Sequence, residues 1–133
     1  SRLVDYVDAY QPGAQRFDMG ERASFHLMPM LEAALGQIAA WGVGNIAATL
    51  GATNRRIAEE AAGLGFFSQP EHARAGHFLG LSRPEGLPEG LVAKLAAKNV
   101  FVSVRGTSIR VTPHLYNDEE DIERFFAALR SCL

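Results

Sequence analysis

Lysine is scarce in this chain of 133 residues: Lys94 and Lys98 stand against 11 arginines. Any chemistry that needs an amine nucleophile or a Schiff base must therefore use one of those two positions. Cysteine is rarer still. Cys132 alone excludes an intramolecular disulfide framework and a multi-cysteine zinc site. Long apolar runs are missing as well, because Leu27 to Trp41 is broken by Pro29, Glu32 and Gln37, so no membrane span is expected. Neither sign of charge dominates: 13 Lys+Arg face 15 Asp+Glu, a net charge of −2. That balance gives no basic field to hold nucleic acid or an anionic membrane. Ser1 to Tyr10 carries Arg2, Asp5 and Asp8 among its apolar residues, which does not read as a secretory signal. With 47% hydrophobic and 21% charged residues, the expectation is one soluble, cytoplasmic domain.

What is present reads as alternating helices and short strands. Residues 1–20 have the character of a connecting segment, punctuated by Pro12, Gly13 and Gly20. Residues 24–41 predict a helix, with Leu27, Leu31, Ala34, Leu35 and Ile38 at three- and four-residue steps. Ser24 is placed to cap its start and Gly42 its end, while Pro29 fits only a first turn. A second helix is expected over about Asn45 to Leu64, ended by Gly65. Phe66 to Ser68 and His77 to Arg83 read as strands, and Pro88 suits the first position of a helix running to about Asn99. Val100, Val102 and Val104 alternate with Phe101, Ser103 and Arg105. Gly106-Thr107 then makes a hairpin turn into a strand with Ile109 and Val111 on one face and Ser108, Arg110 and Thr112 opposite. Asn117, with Glu120 three residues on, predicts the start of a closing helix whose stripe is Ile122, Phe125, Phe126, Leu129 and Leu133. The order α-α-β-β-α-β-β-α implies an α+β domain, a small antiparallel sheet of three to four strands with helices on one face.

Arg110 is the most informative single residue. It lies mid-strand between two apolar residues, where Thr, Val or Tyr would suit a sheet better. A planar guanidinium on a rigid strand can grip a carboxylate through two parallel hydrogen bonds. The plain alternative is a surface arginine paired with a glutamate. His26, His72, His77 and His114 show no metal-ligand spacing, although His114, just beyond the arginine strand, is placed to line a site. No nucleophile elbow, phosphate loop or dinucleotide fingerprint is present. Cys132, in the last turn, reads as a small apolar residue.

Several of these segments together resemble the C-terminal part of class V aminotransferases, which are fold-type I pyridoxal-phosphate enzymes. The segments are Arg16 to Glu21, Trp41-Gly42-Val43, Leu64-Gly65-Phe66 and, above all, Ser108 to Ile122. The resemblance implies that residues 1–20 connect to a large pyridoxal-phosphate-binding domain absent from the sequence, and that residues 21–133 are the small C-terminal domain. It implies that Arg110 binds the α-carboxylate of an amino-acid substrate, with Arg105 and His114 beside it. It also implies a homodimer in which the segment around Gly20 reaches the cofactor phosphate of the partner subunit. A carboxylate such as Glu21 cannot donate to a phosphate, so Arg22 or Ser24 takes that part. The family's Schiff-base lysine belongs to the large domain, so no cofactor is expected on this chain covalently, and the chain alone is not expected to be catalytic. Cysteine desulfurases carry a cysteine just before the arginine strand. Val104 to Ser108 has none, which points to an aminotransferase, lyase or epimerase parent. An isolated small domain should expose Leu3, Val4, Tyr6, Val7, Tyr10 and part of the 24–41 helix, and self-associate through them. The reading from another class is a free-standing α+β regulatory or protein-interaction module.

Overall fold

The computed structural model describes residues 8–18 and 24–133. They fall in two compact units, Ser1–Ala40 and Trp41–Leu133. In the first unit a 3-10 turn, Gly13–Phe17, precedes helix α1, Leu27–Trp41. The helical hydrogen bonding starts one turn earlier, where the Met28 amide donates to the Ser24 carbonyl at 3.1 Å. Pro29 is the third residue of α1, and its missing N–H leaves out the bond that would follow, to the Phe25 carbonyl. No α1 residue is buried, and Leu27, Met28, Met30, Leu31, Leu35, Ile38 and Trp41 are exposed. Tyr10 is exposed too. Leu3, Val4, Tyr6 and Val7 lie outside the described residues. Among the described residues, no single helix is long and apolar enough to cross a membrane.

The second unit is built on a three-stranded antiparallel sheet in the order β1-β3-β2. Its strands are β1 (Leu79–Ser82), β2 (Ser103–Arg105) and β3 (Ser108–Val111). Around them lie α2 (Val43–Ala62), α3 (Leu91–Ala96) and α4 (Glu119–Arg130). The α+β architecture and the order of elements are those expected. The first expected strand is reduced to a single bridge, Phe67 to Ser82, held by amide bonds of 2.7 and 2.9 Å.

One face of the sheet makes the core. Leu79 and Leu81 of β1 and Ile109 and Val111 of β3 are buried against Ile57 and Ala61 of α2, Leu91 and Leu95 of α3, and Ile122, Phe125, Phe126 and Leu129 of α4. The α4 residues are the stripe anticipated for the closing helix, except that Leu133, beyond its end, is exposed; the stripe anticipated for α1 is exposed throughout. Cys132 packs half-buried against the same cluster. On β2 the inward-facing series opens outward, from buried Val100 through half-buried Val102 to exposed Val104.

Two helix starts differ from expectation for local reasons. The amide oxygen of Asn117 accepts from the His114 backbone N–H at 2.9 Å, so Asn117 closes the preceding turn. The cap of α4 passes to Asp118, whose carboxylate accepts from the Asp121 amide at 3.1 Å. Pro88 does not open α3. Gly90, at φ 68°, turns the chain into it, and the helix is correspondingly short. Asn54, fully buried on α2, donates to the Gly76 carbonyl at 2.7 Å and ties the long loop before β1 to the helix. Arg55 clamps the same loop through Glu71 at 2.6 Å.

Leu95 is wholly buried on α3, whereas Lys94 beside it is exposed. Leu95→Ala is expected to cost about 2–5 kcal/mol of unfolding free energy, and Lys94→Ala to stay within about 0.5 kcal/mol of the parent. Urea denaturation measures both. Glu71 is held below the ordinary carboxylate range, first by its hydrogen bond from Arg55 and then by the charges of Arg55 and Arg74. Its contribution to stability is therefore present above the unfolded-state value and lost as pH falls through the depressed folded-state value. Arg55→Gln should return the Glu71 titration, followed by carboxyl-carbon NMR, toward its ordinary range.

Candidate functional site

The side-chain alternation that buries Ile109 and Val111 turns Arg110 to the other face of the sheet, and the central position of β3 gives it neighbours on both sides. In register it stands between Gly80 of β1 and Ser103 of β2. Gly80 contributes no side chain, and a Cβ built there meets no atom within 4 Å. Ser103 is small. The guanidinium therefore rises from the middle of an open surface with room on each side. The Arg110 side chain is exposed and makes no hydrogen bond or ion pair among the described residues. A paired surface arginine is thus not what the sheet shows. Arg55, Arg56, Arg83, Arg124 and Arg130, by contrast, each reach a carboxylate.

Arg105 shares this face, opposite Ser108 at the end of the β2–β3 hairpin. Its Nη1 donates to the Val104 carbonyl at 2.8 Å. The hairpin has two central residues. Gly106 takes φ 57° and no positive φ falls on Thr107, the requirement of a turn with glycine first. Beyond β3 the burial alternation continues: Thr112 and His114 are exposed and Pro113 is buried. His114 thus follows Arg110 on the exposed side of the run, where its ring stacks on Tyr116 at 5.4 Å.

Next to the open face lies a cavity of about 310 Å³, which shares Phe101 and Thr112 with it and is also walled by Tyr116, Asn117, Asp121 and Arg124. Its polar groups are largely satisfied among themselves. Asn117 donates to Asp121 at 3.1 Å, and Arg124 bridges to the same carboxylate at 3.1 Å. Sequence reading singled out neither this cavity nor the Gly80 and Ser103 neighbours of Arg110, because both depend on long-range register.

Of the residues expected to reach a cofactor phosphate, Gly20 and Arg22 lie outside the described residues, and Ser24 sits at the start of the turn leading into α1. Lys94 and Lys98 are both exposed on or just after α3. That helix is sunk through Leu91 and Leu95 into the buried side of the sheet, so neither amine stands on Arg110's face. The residues that could form a Schiff base therefore do not fit a pyridoxal site around Arg110 within this chain. Among the described residues, no cluster of His, Cys, Asp and Glu could hold a metal ion.

The geometry defines an α+β unit whose sheet has one face covered by helices and, among the described residues, one bare face centred on an arginine without a carboxylate partner. Comparison with solved structures finds the same fold in a NifS-like protein, with a TM-score of 0.62 and 18% sequence identity over 77% of this chain. The matched part is 31% of that protein, so the chain spans less than a third of its length. No protein-family model and no curated protein matches the sequence.

Because the Gly80 site is open, Gly80→Val is expected to stabilise the sheet by about 0.5–1 kcal/mol through lower unfolded-state entropy and a better strand propensity. A thermal midpoint above that of the parent checks it; a lower one would mean that this face is already filled.

Proposed function

We propose that this chain is the small, C-terminal domain of a class V aminotransferase-like enzyme that acts on an amino acid with pyridoxal phosphate. Residues 1–20 are then the connection from a large cofactor-binding domain and residues 21–133 the small domain. The observation that carries the reading is Arg110, free of any partner among the described residues, at the centre of the bare sheet face. The fold supports the coarser part of it, since the NifS-like neighbour is a relative of class V aminotransferases and cysteine desulfurases and is matched over only part of its length.

In this reading Arg110 binds the substrate α-carboxylate by two parallel hydrogen bonds. The strand fixes the backbone from which the guanidinium rises, while the exposed, unpartnered side chain gives up rotamer freedom on binding. Pyridoxal phosphate, when bound, supplies an electron sink for the substrate α-carbon. The amine that would hold it comes from the large domain, given where Lys94 and Lys98 stand. Gly20, Arg22 and Ser24 take the part of phosphate contacts across a cytoplasmic homodimer. The two-residue link between β2 and β3 has no cysteine, which favours an aminotransferase, lyase or epimerase over a desulfurase.

In the polypeptide that carries this chain with its cofactor domain, Arg110→Ala should raise KM for the amino acid about ten- to hundredfold. Cofactor absorbance should stay as in the parent. Unchanged KM and kcat would overturn the assignment. The 133-residue chain mixed with pyridoxal phosphate should develop no lasting protein-bound visible band. A stable band would overturn the separation of lysine from carboxylate site.

A further inference from the structure

The geometry points to a second anion subsite beside Arg110, supplied by Arg105, and hence to a substrate amino acid that carries an additional negatively charged group. This inference rests on Arg110 as the α-carboxylate binder and names the substrate class of that site.

Five observations carry it. In the β2–β3 register Arg110 faces Ser103 and Arg105 faces Ser108, so the two arginines are diagonal neighbours on one face. Diagonal neighbours lie about 7–8 Å apart between Cα atoms, a separation that two long side chains can close onto one small ligand. Both arginines are exposed, and neither has a carboxylate partner among the described residues. Arg105 spends one donor on its own strand, to the Val104 carbonyl at 2.8 Å, which steadies the guanidinium and leaves the other donors free. The strand residues of this face are glycine, serine and arginine, with no acid to neutralise the pair. Five other arginines of the same unit are matched to carboxylates. A ligand with one carboxylate would satisfy one guanidinium and leave the second positive charge facing it. A dianion satisfies both.

The test uses the full 133-residue chain labelled with ¹⁵N, titrated with succinate and with propionate and followed by the arginine Nε–Hε signals. Succinate should bind about five- to tenfold more tightly than propionate, as one added charge-assisted contact at an exposed site allows. Arg105→Gln should lower succinate affinity to that of propionate, and Arg105→Lys should keep part of the preference. Arg74→Gln removes the same charge elsewhere, at a residue bonded to Ser68, and should keep all of it. Circular dichroism checks that each variant folds. Equal affinity for the two acids in the parent chain, or a succinate preference that survives Arg105→Gln, overturns the second subsite and leaves Arg110 as a monocarboxylate binder. Propionate binding unaltered by Arg110→Gln overturns the underlying reading of Arg110 itself.

Discussion

Ile109 is wholly buried in the middle strand of a three-stranded sheet, and the period-two rule of strands makes everything around the site follow from that burial. With Ile109 and Val111 committed to the core, Arg110 has only the bare face to occupy. The same burial draws α2, α3 and α4 to one side, because their apolar stripes have nowhere else to be removed from water. The bare face is thus not a gap left by poor packing. It is the complement of a core that is complete on the opposite side.

Electrostatics divides the arginines of this unit into two groups. Five of those on the helices and loops reach carboxylates, and three of these, Arg55, Arg56 and Arg130, link neighbouring elements. Arg56 reaches both Glu60 and Glu119, and Arg130 reaches Glu60, so α2 and α4 share one small network. Exposed pairs of this kind add little individually, and their value lies in orientation. Among the described residues the sheet arginines Arg105 and Arg110 stand apart from any such network.

Much of this was legible locally. The Gly106-Thr107 hairpin, the face carried by Arg110 and the α4 stripe from Ile122 to Leu129 each rest on patterns a few residues long, and each stands where the pattern put it. Misplacements arose where two local signals competed. Asn117 is as good a cap as Asp118, but its side chain is taken by the His114 amide. Pro88 suits a helix start, yet the left-handed Gly90 sets it later. Phe66 to Ser68 has strand composition but finds a partner at only one position. What could not be read locally is that Gly80 and Ser103 flank Arg110, since that depends on how strands distant in sequence pair. The likeness to class V aminotransferases suggested a site, and the register supplied its neighbours.

The hairpin between β2 and β3 also limits how this protein can change over evolutionary time. Its two central residues can be exchanged for others that tolerate the same backbone, but their number cannot be altered independently. One inserted residue would slide β2 by one step and exchange its faces, carrying Arg105 inward and Val104 out. Substitutions on this strand pair can tune the bare face gradually, whereas a change in loop length would rewrite it at once. Lineages that keep the arginine pair should therefore vary in the identity of the turn residues and not in the length of the turn.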